Sequence, residues 1–151
     1  MRGWIIVALV VALSGPAAAQ QPSTQAGGAL RSDVPAIVTR GLDAYRTGGL
    51  GAAADVWLVG SPVAGASARA QLVGGLAPLE AAYGNMIGSD VVDVVAIGAH
   101  VRRVYVVIRL ERGPLYAFFE CYQEAGGGWI IPAFLLNAKA TDIFPAHYLG
   151  G

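Results

Sequence analysis

Apolar residues recur at helical spacing in the first part of the chain and predict two consecutive helices. The first begins at the capping pair Ser32-Asp33 and ends at Thr47-Gly48-Gly49, where glycines favour a stop. The second is shorter. It places Leu50 and Trp57 on one face and ends at Gly60-Ser61-Pro62.

A third helical pattern follows an Ala/Gly/Ser connection. Its apolar stripe runs from Leu72 to Tyr83 and is interrupted by Gly74-Gly75 and by Pro78. Proline removes a backbone hydrogen bond inside a helix, so a kink or two short helices are expected here.

The spacing of apolar residues then changes to a period of two. Short connections between such segments make neighbouring strands antiparallel. Helices first and a strand meander afterwards predict an α+β fold, with the helices on one face of the sheet. The four predicted strands are Asp90–Gly98, Arg103–Glu111, Leu115–Gln123 and Trp129–Leu136.

The two central strands each have one fully apolar face. A register with Leu110 opposite Leu115 puts both apolar faces on the same side, under the helices. The opposite, outer face is either an ordinary half-solvated surface or a surface for a protein partner, because tyrosines beside charged groups are common in interfaces. This candidate partner face consists of Tyr105, Arg109, Tyr116, Glu120 and Tyr122.

The N-terminus has the three-part layout of a secretory signal. Met1-Arg2-Gly3 is positively charged, Trp4–Leu13 is apolar, and Ala17-Ala18-Ala19 supplies small residues for cleavage. The alternative is an uncleaved anchor, but ten apolar residues are fewer than the ~20 that cross a bilayer as a helix. We therefore expect an exported protein, periplasmic or secreted, without a stable membrane anchor.

This layout divides the chain into four parts. They are a cleavable signal peptide at 1–19, a flexible lead-in at 20–32, a single α+β domain at 33–146 and a tail at 147–151.

Composition narrows the function classes. Ten basic residues balance ten acidic ones, which leaves no electrostatic footprint for nucleic acid. Cys121 is the sole cysteine. Because it lies in an apolar strand, we expect it to be a small buried hydrophobic residue rather than a reactive thiol. His100 and His147 have no second ligand at metal-binding spacing, so neither a metal nor a cofactor is expected.

Scattered local features resemble one known family. They are Ala53-Ala54 with Trp57 and Gly60-Ser61-Pro62, Leu79-Glu80 with Tyr83-Gly84, the hairpin Glu111–Pro114, the strand from Trp129 to Asn137, and Ile143-Phe144-Pro145. Together with the order of elements, they resemble the nuclear-transport-factor-2-like superfamily, the cystatin-like α+β cone, over roughly residues 33–145.

The resemblance implies two or three N-terminal helices packed on a curved antiparallel sheet of about four strands. One departure is that no clear short strand separates the second and third helices. Members include ketosteroid isomerase-like and polyketide cyclase-like enzymes, dehydratases and non-catalytic binding domains, so the fold alone decides no chemistry.

Three functions are compatible with these residues. The leading hypothesis is an exported non-catalytic domain that binds a small apolar molecule or a protein partner. An isomerase or lyase would use Glu80, the weak catalytic candidate, with Tyr45 or Tyr83. A homodimer would form through the outer tyrosines. Seven residues either fill the core or line a pocket: Tyr45, Trp57, Tyr83, Val106, Ile108, Phe119 and Phe134.

Overall fold

The computed structural model describes residues 33–150 as two helices followed by a four-stranded sheet. The predicted signal peptide and lead-in lie outside the described residues. The α+β class predicted from the sequence is confirmed. The elements are α1 (Ala36–Trp57), α2 (Ala66–Tyr83), β1 (Met86–Ile97), β2 (Val101–Leu110), β3 (Gly113–Gln123) and β4 (Trp129–Asn137), followed by 3₁₀ turns at Ala140–Asp142 and Ala146–Tyr148.

Helix α1 contains both of the first two predicted helices. They are joined at Gly49, whose φ of 74° and ψ of −175° break the helical path. Glycine tolerates this conformation because it has no Cβ. The break lies where the sequence predicted a stop, but no loop intervenes, and α1 continues to Trp57 with its buried face against the sheet.

Helix α2 is a single element, so of the two predicted alternatives, a kink or two short helices, the division into two helices does not occur. Pro78 lies inside it. The residue four positions earlier is Gly74, and both residues are exposed. Water can therefore satisfy the Gly74 carbonyl that loses its helical donor. No residue of α2 is fully buried.

The sheet has the order β1-β2-β3-β4, with every neighbouring pair antiparallel. It is curved and open. Register shifts insert Ile87 and Val92 into β1, and β4 bulges at Ile131-Pro132. Bulges bend a strand and increase its twist, so those on the two outermost strands account for the curvature.

No helix among residues 33–150 is both long enough and apolar enough to span a membrane.

The register between β2 and β3 differs from the predicted one by two residues. Leu110 pairs with Gly113, and Leu115 pairs with Ile108, so the predicted pairing of Leu110 with Leu115 is wrong. A shift of two keeps every side chain on its predicted face. The apolar faces of both strands are accordingly buried together under α1.

Contacts with the segment between α2 and β1 hold the β2–β3 turn in this register. The turn residues are Glu111 and Arg112. Glu111 N–H donates to the Asn85 carbonyl at 3.0 Å, and Arg112 N–H donates to the Tyr83 carbonyl at 2.8 Å. The Tyr83 ring lies over Gly113, 2.8 Å from where a Cβ would stand. A larger residue cannot occupy that position, so glycine enters the strand there.

Cys121 is fully buried on the inner face of β3, as predicted. Burial, followed by the charge of Glu120, raises the pKa of its thiol from 9.0 to about 12. The thiolate is the reactive form, so at pH 8 this shift alone lowers the reactive fraction by about a thousandfold.

We expect Cys121 to react with a thiol reagent such as DTNB at pH 8 only after unfolding in urea. Because the folded-state pKa is raised, the thiol's contribution to stability is full below pH 9 and is lost as the pH rises from 9 towards 12. Fast labelling of the folded protein at pH 8 would contradict this burial.

Candidate functional site

The interior of the sheet's concave side is filled by a cluster of aromatic rings around Trp57. The Trp57 ring lies 4.9 Å from Phe119 and 5.9 Å from Phe134, measured between ring centroids, and 6.5 Å from Tyr45. Trp57 and Phe119 are fully buried. Aromatic rings at these separations are in direct packing contact. These residues therefore form a packed core between α1 and the sheet.

Trp57 is fixed from the helix side as well. Its ring lies against Gly41, because a Cβ placed on Gly41 would stand 1.9 Å from Trp57 Nε1. The indole N–H donates to the Val38 carbonyl at 3.4 Å, which gives its one polar atom a partner. The ring therefore occupies one position between α1 and the sheet.

The remaining predicted pocket residues divide into two groups. Val106 and Ile108 are fully buried in the same core. Tyr83 is the last residue of α2. Its ring lies over the β2–β3 turn and is half-buried. The sequence correctly grouped the inward-facing residues of α1, β2, β3 and β4, but it could not distinguish a filled cone from an open one.

Glu80 lies at a polar cleft beside the break in α1. The cleft has a volume of about 610 Å³. Glu80 Oε1 accepts a hydrogen bond from the Leu50 backbone N–H at 3.1 Å. The N–H groups of a helix's first turn have no partner within the helix, so Glu80 caps the second half of α1 from α2. The cleft is lined by Tyr45, Arg46, Thr47, Gly48, Gly49, Glu80, Asn85 and Met86.

Tyr45 is the tyrosine that accompanies Glu80. Burial raises the pKa of the Tyr45 hydroxyl, and the charge of Glu80 and a hydrogen bond to it raise that pKa further. Tyr83, the other predicted companion, packs on Gly113 instead. The arrangement is a carboxylate held by one backbone donor, the Leu50 N–H, at a cleft that Tyr45 also lines.

The C-terminal segment covers the middle of the outer sheet face. Phe144 lies 5.8 Å from Tyr105 and 5.4 Å from Tyr116, measured between ring centroids. The Tyr148 ring packs at a tilt against Tyr105, with 5.7 Å between the ring centroids, and its hydroxyl donates to the Asp93 carboxylate. Tyr105 is only 5 % exposed. Its predicted place on an accessible partner face is therefore wrong, because the chain folds back over it.

The same contacts revise the predicted tail at 147–151. Tyr148 belongs to the aromatic cluster of the outer face and is half-buried. Hydrogen bonding to Asp93, followed by burial, raises the pKa of its hydroxyl to about 12. The packed domain thus extends beyond residue 146.

One end of the outer face is left uncovered and carries exposed apolar side chains. We call this set the apolar patch. Ile97 on β1 and Tyr122 on β3 both pair with Val101, the first residue of β2. Val95 pairs with Arg103, two residues further along β2. The patch consists of Val95, Ile97, Tyr122 and Leu135, which are 38, 46, 45 and 45 % exposed. Leu135 lies further along the face than the other three, on β4 opposite Phe118.

An ion pair lies in the middle of the apolar patch. Arg103 and Glu120 are opposite each other on β2 and β3, with Nη2 and Oε2 2.5 Å apart. The hydrogen bond to Glu120, followed by one to Tyr105, raises the pKa of the Arg103 guanidinium. The Arg103 Nε atom is buried without a hydrogen-bond partner among the described residues.

The sequence pattern predicted Tyr122 and Glu120 on this face, but it did not point to the apolar residues on the outermost strands, β1 and β4. Val95, Ile97 and Leu135 alternate with inward residues along their strands, and extending the face assignment to β1 and β4 finds them. Arg109, the fifth predicted partner residue, lies at the opposite end of the face, where its Nε is 3.0 Å from Asp90 Oδ2.

The described residues contain no group of three or more His, Cys, Asp or Glu side chains placed to hold a metal ion.

The fold is an α+β arrangement consistent with a helix-plus-sheet cone. Comparison with protein-family models, with curated proteins and with solved structures finds no match.

Proposed function

We propose that this chain is an exported, non-catalytic domain that binds a protein partner through the apolar patch, and that the partner is a second copy of the chain. The observation that carries the proposal is the exposure of four large apolar side chains on a sheet face whose middle is covered by the C-terminal segment. Several large apolar side chains exposed on one sheet face mark a candidate interaction site. The signal-like N-terminus supports export, and the order of elements supports the resemblance to the nuclear-transport-factor-2-like superfamily.

The charges of the patch favour a second copy over a partner of different chemistry. Arg103 and Glu120 form a neutral pair at its centre, and the chain without residues 1–19, which include Arg2, carries nine basic and ten acidic residues. A two-fold axis through the patch would bring Arg103 of one copy towards Glu120 of the other. Such a surface is complementary to itself, as a two-fold interface requires.

The other functions compatible with the sequence have less support. Packing of Trp57 against Phe119 and Phe134 supports a core role for residues expected to line a pocket for an apolar molecule. The bond from Leu50 N–H to Glu80 supports a structural role for the carboxylate that an isomerase or lyase would use. We therefore favour the protein partner.

Replacing Tyr122 with glutamate is expected to weaken self-association at least about tenfold, because the dimer would bury an unpaired carboxylate in an apolar contact. Tyr122 is exposed in the described chain, so the fold should be kept. Sedimentation equilibrium across a range of concentrations measures the dissociation constant.

The matched control is Val63→Glu, which adds the same charge at an exposed apolar residue between the two helices. We expect its dissociation constant to equal that of the unaltered chain. Equal weakening by both variants, or no weakening by Tyr122→Glu, would exclude the apolar patch as the interface.

A further inference from the structure

We infer that the cleft at the break in α1 is a binding site for a small organic cation, an ammonium or guanidinium group on a compact body, with Glu80 as its anionic partner. This site is separate from the apolar patch and does not depend on it. The cleft volume of about 610 Å³ falls within the range of small-molecule sites, roughly 300–1,000 Å³.

The carboxylate has acceptor capacity to spare. Leu50 N–H uses Oε1 of Glu80. An ionised carboxylate accepts about four hydrogen bonds through its two oxygens. Glu80 is half-buried at the cleft, so acceptor positions remain for a ligand that brings N–H donors and a positive charge.

The backbone adds a second negative feature. Residues 45–48, at the end of the first half of α1, line the cleft, and the break at Gly49 turns the Leu50 N–H towards Glu80. The last carbonyls of a helix have no donors within it and carry the negative end of its dipole. The second half of α1 begins at the same break, and its positive end is occupied by Glu80 through the Leu50 N–H. The carboxylate is therefore the main group that would attract a cation.

The other charged groups around the cleft are of both signs. Arg46 lies on the rim, and its guanidinium is 3.9 Å from the Asp43 carboxylate, with both side chains exposed. Asn85, which lines the cleft, donates to the Glu111 carboxylate at 3.3 Å. Glu111 thus adds a further negative charge close to the wall.

A charge-matched pair of probes tests the inference. In NMR titrations of the whole chain, 2-phenylethylammonium should shift the amide signals of residues 45–50 and of Glu80 and Asn85 saturably. The neutral analogue 2-phenylethanol should bind at least about tenfold more weakly, since it lacks the charge that Glu80 recognises.

Glu80→Gln separates binding from structure, because the amide oxygen of glutamine can still accept the Leu50 N–H. We expect this variant to stay folded by circular dichroism and to bind the ammonium probe at least about tenfold more weakly. Glu124→Gln, at an exposed carboxylate in the β3–β4 turn, should bind it unchanged.

Absence of saturable binding to the unaltered chain, equal binding of the neutral alcohol, or unchanged binding by Glu80→Gln would each overturn the inference. None of these results bears on self-association. Failure of the cation site and failure of the proposed interface are therefore distinguished by separate measurements.

Discussion

Replacing Trp57 with alanine is expected to lower the free energy of unfolding by about 3–5 kcal/mol. The indole is fully buried, packs on Phe119 at 4.9 Å and on Phe134 at 5.9 Å, and rests against Gly41. Its removal leaves a cavity between α1 and the sheet that the rigid surroundings cannot close. Urea denaturation followed by circular dichroism measures the loss.

Val59→Ala is the control for the Trp57 variant. Val59 lies two residues further along and is 63 % exposed, so its truncation should change stability by no more than about 0.5 kcal/mol. Indole added to Trp57→Ala should raise the melting temperature by filling the cavity. A loss below about 1 kcal/mol for Trp57→Ala would contradict the packed interior, because truncation of a large buried aromatic costs several times more.

Replacing Gly41 with alanine is expected to destabilise the protein by about 1–3 kcal/mol through overpacking. Alanine is the better helix former by about 1 kcal/mol, so helix propensity alone predicts the opposite sign. The added methyl would stand 1.9 Å from Trp57 Nε1 and 2.3 Å from Cδ1. Either the indole or α1 must move, and both are held by the core.

Gly74→Ala is the matched control, since Gly74 also lies inside a helix but nothing lies within 4 Å of its prospective Cβ. It should stabilise the protein by roughly 0.5–1 kcal/mol. In a Trp57→Ala background the cost of Gly41→Ala should disappear, which a double-mutant cycle measures. The same sign of effect at Gly41 and Gly74 would show that the indole does not lie where we describe it.

The parts of the fold that depend on local pattern could be predicted from the sequence. Alternation along β2 and β3 assigns their inner and outer faces correctly, and this includes the burial of Cys121. The glycines at 48 and 49 mark the break in α1. In each case the signal lies within one or two turns or strands, where propensity and periodicity act directly.

The parts that depend on contacts between distant segments could not be predicted. Tyr105 has the alternation of an outward residue and is buried only because Phe144 and Tyr148 return to cover it. The β2–β3 register depends on hydrogen bonds to residues 83 and 85, outside the hairpin. No local pattern specifies either interaction.

In the candidate sites too, single residues could be selected from local pattern, whereas their contacts with distant segments could not be predicted. Glu80 was named from the sequence as a weak catalytic candidate, but its hydrogen-bond partner Leu50 lies 30 residues away. Spacing along α2 cannot show that it caps another helix. Similarly, Tyr122 was found on the outer face, whereas the size of the apolar patch depends on which residues the C-terminal segment covers.

Native mass spectrometry of the protein purified from its own cells tests the proposed function most directly, because one spectrum gives both the number of subunits and the mass of each. We predict a dimer of chains that are shortened at the N-terminus by removal of residues 1–19. A monomer at every concentration examined would contradict self-association through the apolar patch, and chains of full length would contradict export by a cleaved signal.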